Sequence, residues 1–127
     1  MNPVKQKINT EKAPAAIGPY SQGVKAGGLV LTSGQLPIDP STGEFPKGIE
    51  NQTRQSLENC KSVLAAAGMS MDKVVKTNVY LSDMNNFAAM NGVYASFFDG
   101  IYPARSAVEV ARLPKDALVE VECVAVE

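Results

Sequence analysis

Along the chain the apolar positions change period several times, and each change marks an element. From Leu118 to Val126 the period is two. Val119, Val121, Cys123 and Ala125 share one face, and Leu118, Glu120, Glu122, Val124 and Val126 share the other. The first face is wholly apolar and belongs on a core. The second sets two carboxylates among aliphatics, which is not how a plain solvent face is composed, so a partner subunit or a ligand is expected to cover it in part. Upstream, Ala104–Val110 also alternates, placing Arg105, Ala107 and Glu109 together, and Pro114 and Asp116 break the two runs apart. Val74–Leu81 reads as a further strand with Val75, Thr77, Val79 and Leu81 as its buried face. Tyr20–Lys25 and Leu29–Ser33 flank Ala26-Gly27-Gly28, a turn signal that predicts a hairpin, and Val4–Ile8 reads as a short edge strand.

Two stretches have the helical period instead. In residues 49–67, Ile49, Thr53, Leu57, Cys60, Leu64 and Ala67 recur at steps of three and four, opposite Arg54, Glu58 and Lys61, and Gly68 supplies a stop. Asp83 can cap a second helix whose packed face is Phe87, Met90, Tyr94, Phe97 and Phe98, ending at Gly100. Asn91 lies between Phe87 and Tyr94 in helical phase. Two readings stay open for it: a boundary Asn bonded to backbone, or a member of a site. Pro37–Gly48 is a loop rich in turn residues. The order hairpin, helix, strand, helix, strand, strand predicts one α+β domain over residues 1–127, with two amphipathic helices on one face of a mainly antiparallel or mixed sheet. The far sheet face is then bare and partly apolar, which predicts closed association of copies.

Composition narrows the chemistry. The chain has no histidine, which excludes His-based triads, His acid–base steps and imidazole metal ligands. Cys60 and Cys123 fall in apolar patterns and form no Cys-x-x-Cys pair, so they read as buried free thiols. A net charge of −1 without a basic run argues against an electrostatic grip on nucleic acid or on an anionic membrane. No run is long and apolar enough to span a bilayer, and the first residues lack the apolar stretch of a signal peptide, so a cytoplasmic location is expected. Chemistry falls to Arg, Glu, Tyr, Ser, Asn, backbone groups and water. Arg105 follows Pro103 at a strand entrance, with Glu120 and Glu122 on a strand read as nearby. Its fork suits a small carboxylate held by two parallel bonds, and it equally suits an Arg–Glu pair that ties strands together.

Three separated segments resemble one family. Gly18-Pro19-Tyr20-Ser21-Gln22-Gly23, Thr32-Ser33-Gly34-Gln35, and Pro103-Ala104-Arg105-Ser106 with Val108-Glu109-Val110-Ala111-Arg112-Leu113-Pro114 are similar to the Rid family (reactive intermediate deaminase, also YjgF), in its RidA-like branch. The likeness runs from about Ala13 to the C-terminus. It implies a chorismate-mutase-like fold assembled as a homotrimer, sheets forming an inner barrel and sites lying in clefts between subunits. It also implies hydrolysis of 2-imino acids, such as 2-aminoacrylate/2-iminopropanoate and 2-iminobutanoate, to 2-oxo acids and ammonia. No cofactor or metal is implied, and PLP-dependent dehydratases would supply the substrate. By position, Arg105 would hold the substrate carboxylate and Glu120 would position or activate water, while Tyr20, Ser33 and Asn91 would line the cleft. One departure is Ala107, where many members have Cys; a backbone role at that position tolerates Ala and a thiol role does not. The rival reading is a non-catalytic protein that binds small carboxylates for regulation.

Overall fold

The computed structural model describes residues 4–127. Six strands, β1 (Gln6–Ile8), β2 (Gly23–Ala26), β3 (Leu29–Thr32), β4 (Val74–Leu81), β5 (Ala104–Glu109) and β6 (Val119–Val126), form one sheet in the order β1-β2-β3-β6-β4-β5. All neighbours are antiparallel except β4 and β5, so the sheet is mixed. The parallel pair is joined by a crossover containing helix α2 (Phe87–Ala95), the connection that parallel strands require. Helix α1 (Ile49–Ala66) packs beside it against the same sheet.

The last strand, β6, lies between β3 and β4, which is why its alternation is so clean. Val119, Val121, Cys123 and Ala125 are buried with Leu57, Cys60, Val63 and Leu64 of α1, and both cysteines are free thiols as expected. Burying each such aliphatic side chain contributes about 1.5–3 kcal/mol. The hairpin forms as read, with Gly27 in the left-handed region (φ 59°) where a side chain would be strained.

β4 departs from its expected face. Val74 pairs with Ala125 and Lys76 with Val124, so Val75 is an extra residue without a partner in the ladder. This bulge buries Val74 and leaves Val75 45% exposed, whereas Thr77, Val79 and Leu81 keep the face predicted for them. α2 is also shorter than its pattern. Asp83 caps a 3-10 turn, Met84–Asn86, by accepting from the Asn85 N–H at 2.9 Å, and the helix ends at Ala95. Phe97 and Phe98 follow in tight turns yet still pack against the core.

The buried side of α1 is partly polar. Gln52 accepts from the Leu118 N–H at 2.9 Å and donates to the Pro46 carbonyl at 3.1 Å. Asn59 donates to the carbonyls of Leu36 (3.0 Å) and Ile38 (2.8 Å). These side chains fix the path of the loop that leaves β3. That exit carries a second bulge: Leu31 pairs with Val124 and Gln35 with Val121, so residues 32–34 oppose only residues 122–123. On the sheet face away from the helices, Leu29 and Leu31 remain exposed beside Val24, Val124 and Val126, the bare apolar surface the alternation predicts.

Candidate active site

Arg105 pairs in the ladder with Thr77, which is buried on the core side, so the Arg side chain rises on the helix side of edge strand β5. Its Nη1 donates to Asn91 Oδ1 at 2.7 Å, and its guanidinium lies 4.8 Å from the Tyr94 ring centroid and 5.4 Å from that of Phe87. Phe87, Asn91 and Tyr94 recur at helical spacing along α2 and make a cradle for a flat cation. Tyr94 is fixed in turn, its hydroxyl 2.7 Å from Thr77 Oγ1 in the core. Burial pushes the Tyr94 phenol up, against the opposing pulls of the Thr77 bond and the Arg105 charge. Arg105 pairs with no carboxylate among the described residues. Its free N–H groups border a cleft of about 430 Å³ lined by Asn91, Tyr94, Ala95, Tyr102 and Pro103. Asn91 therefore bonds to a side chain rather than to backbone, and within the subunit Arg105 makes no strand-tying Arg–Glu pair among the described residues.

Glu120 and Glu122 are not beside Arg105. β4 separates β5 from β6, and the two carboxylates stand on the opposite face of the sheet. Glu120 pairs with Tyr80 and lies over the bulge at Gly34, where a Cβ would stand 2.8 Å from its Cδ and Oε2. Gly34 is thus the residue whose missing side chain makes room for the carboxyl. Burial first, and the charge of Glu122 second, push the Glu120 carboxyl above its ordinary value. Glu122 is anchored: its Oε1 accepts from Asn78 Nδ2 at 2.9 Å and from the Tyr80 hydroxyl at 2.6 Å. That bond, with burial, pushes the Tyr80 phenol up to about 12.

Ser33 belongs to the same bulge and donates to the Ser21 carbonyl. Tyr20, half exposed, lines a second cleft of about 510 Å³ together with Ile17, Gly34, Gln35, Leu36 and Pro114. The five expected site residues therefore form two groups. Arg105 and Asn91 meet between β5 and α2, while Tyr20, Ser33 and Glu120 gather around the exit of β3. Reading the residues alone missed Gly34, Asn78 and Tyr80, and took Phe87 and Tyr94 for core only. Ala107 lies on the Arg105 side of β5, partly buried against the core, and brings no thiol to that cleft.

The profile of the endoribonuclease L-PSP family matches residues 10–127. The chain belongs to this family. Its Rid (YjgF) resemblance is borne out by relatives over nearly the whole length. A RutC family protein of Pyrococcus horikoshii is 58% identical over 96% of this chain and 98% of its own. The 2-iminobutanoate/2-iminopropanoate deaminase of Escherichia coli K12 is 52% identical over 94% of this chain and 95% of its own. Among solved structures, E. coli TdcF with bound serine superimposes with a TM-score of 0.94 at 50% identity, covering 96% of this chain and 98% of that one. Two helices on a mixed sheet are accordingly the family's architecture and not a peculiarity of this chain.

Proposed function

We propose that this protein is a 2-iminobutanoate/2-iminopropanoate deaminase, hydrolysing reactive 2-imino acids and their enamine tautomers to 2-oxo acids and ammonia. The observation that carries the reading is Arg105. It is an oriented guanidinium, held by Asn91 over two aromatic rings, with no carboxylate paired to it among the described residues. Such a fork is built for a ligand carboxylate. The E. coli relative named for this activity, and the serine bound to TdcF, support a small substrate that carries both a carboxylate and nitrogen.

Arg105 lies across the sheet from Glu120, so we place the complete site between copies. In a homotrimer whose bare sheet faces turn inward, the Arg105 cleft of one subunit meets the Tyr20–Ser33–Glu120 cleft of its neighbour. Glu120 takes a proton from water as the new C–O bond forms and the C=N electron pair moves to nitrogen. That proton passes to the amino group, giving an ammonium carbinol. Glu120 then takes the hydroxyl proton as the C–N bond breaks and the carbonyl forms, and returns it to the departing ammonia. Starting from the protonated imine, the sum is iminium plus water giving 2-oxo acid plus ammonium. Positioning and a matched base suffice, because a protonated imine is already electrophilic. We also place the protein in the cytoplasm beside PLP-dependent dehydratases. Among the described residues, no helix is long and apolar enough to cross a membrane.

The test couples the protein to a serine or threonine dehydratase and follows ammonia and 2-oxo acid. Faster release with the wild type, lost in Arg105→Ala, is expected. Binding of 2-oxo acids without any acceleration would favour the regulatory carboxylate binder.

A further inference from the structure

We propose that Glu122 is a positioning residue for Glu120: anchored by Asn78 and Tyr80, it holds a fixed negative charge two residues along the same strand face, turning the Glu120 carboxyl toward Gly34 and keeping it ready to accept a proton. The inference rests on the deaminase reading for its consequence, though not for its geometry.

The two carboxylates share a face and differ in their surroundings. Glu122 takes two hydrogen bonds on one oxygen, from an amide and a phenol. Glu120 receives no side-chain hydrogen bond among the described residues and is enclosed by the bulge at Gly34. When two like charges compete, the proton goes to the unsupported group, and a pair whose environments are driven apart divides the acid and base roles. Burial first and the Glu122 charge second push the Glu120 carboxyl up, in accord with this. Tyr80 stays a neutral donor at any working pH.

The other groups facing the pair are few. β4 contributes Lys76, Asn78 and Tyr80, β5 contributes Ser106 and Val108, the bulge contributes Ser33 and Gly34, and β6 adds Leu118 and Val124. Lys76 is the one cation among them. It lies opposite Val124, and its Nζ is 3.3 Å from Ser106 Oγ, turned away from Glu120 toward the sheet edge. The cleft that Gly34 lines also holds Glu11 and Lys115, and in the trimer proposed above the neighbour's Arg105 faces it; Glu122 is the charge on the same strand face as Glu120.

The sign follows. The charge of Glu122 raises the pH at which Glu120 loses its base form, so its presence moves the acidic limb of kcat/KM upward. Glu122→Gln keeps the size and an acceptor for Tyr80 but removes the charge. The limb then moves to lower pH, and kcat falls by about three- to tenfold as Glu120 becomes the weaker base. Glu122→Asp keeps the charge and restores the limb.

The experiment is a carbon-13 NMR titration of the side-chain carboxyls in the substrate-free protein, run on wild type, Glu122→Gln and Glu122→Asp, with pH–rate profiles beside it. The expected result is a Glu120 midpoint that drops in the Gln variant and stays raised in the Asp variant. An equal Glu120 midpoint in wild type and Glu122→Gln overturns the proposal. A midpoint that drops in a protein releasing no ammonia supports the coupling and removes the deaminase reading, so the two failures are told apart.

Discussion

Gly34→Ala separates the site from the scaffold. Gly34 is not in the left-handed region, so alanine adds no backbone strain there. The new Cβ would stand 2.8 Å from Glu120 Cδ and Oε2 and 3.2 Å from Cγ. Carbon pairs are comfortable only at about 3.5–4.0 Å, so the carboxyl must move by about 1 Å. It sits at the end of a flexible side chain, so the displacement costs about 0.5–1.5 kcal/mol in rotamer strain. Restricting the unfolded chain offsets about 0.4–1 kcal/mol of that. Thermal stability should therefore barely change. Turnover should not be spared, because an angstrom of misplacement at a reacting group costs about a hundredfold. Single-turnover ammonia release and a calorimetric melt on the same sample read the two effects. Gly92→Ala is the control: nothing lies within 4 Å of its added Cβ in α2, so it should stabilise slightly and leave turnover alone. Full activity in Gly34→Ala would mean that the Glu120 carboxyl does not work from its place over the bulge.

Arg105→Lys should keep the fold and the charge but lose one directed bond to the substrate carboxylate, lowering kcat/KM by about ten- to a hundredfold in steady-state assays. Glu120→Gln should lower kcat while leaving 2-oxo acid binding intact. It should also raise the melting temperature at neutral pH, since a carboxyl with a raised folded-state value destabilises as it ionises; melts in acid, where both forms are neutral, should coincide. Tyr94→Phe keeps the ring under Arg105 but strands the Thr77 hydroxyl in the core, so denaturant titration should show a loss of about 1–3 kcal/mol with the affinity for 2-oxo acids little changed.

Element types were readable because period and burial agree. β6 lies centrally with one face on α1, so its alternation reports its environment directly. At Val75 the alternation of β4 misleads, because a bulge changes phase without changing composition. The expectation that the glutamates lie on a strand next to Arg105 fails for a topological reason: β5 and β6 are consecutive in the chain, yet β4 lies between them, and no local pattern encodes that crossover. Asn91 was visible as a polar residue out of place in an aromatic stripe. Phe87 and Tyr94 in that stripe were not, since an aromatic that packs a core and one that holds a guanidinium occupy the same helical positions. Tyr80 and Asn78 acquire meaning only once the register sets them opposite Glu120 and Glu122.

The division of the site by the sheet has a consequence for mixtures. If each working cleft takes Arg105 from one copy and Glu120 from another, no chain is self-sufficient, and two dead variants can repair each other. Unfolding Arg105→Ala and Glu120→Gln together and refolding them in equal amounts should leave about a quarter of the clefts with both groups intact. Activity recovered from two inactive preparations, and absent from either refolded alone, would be inheritance by assembly: a phenotype that belongs to the pairing of neighbours and to neither chain.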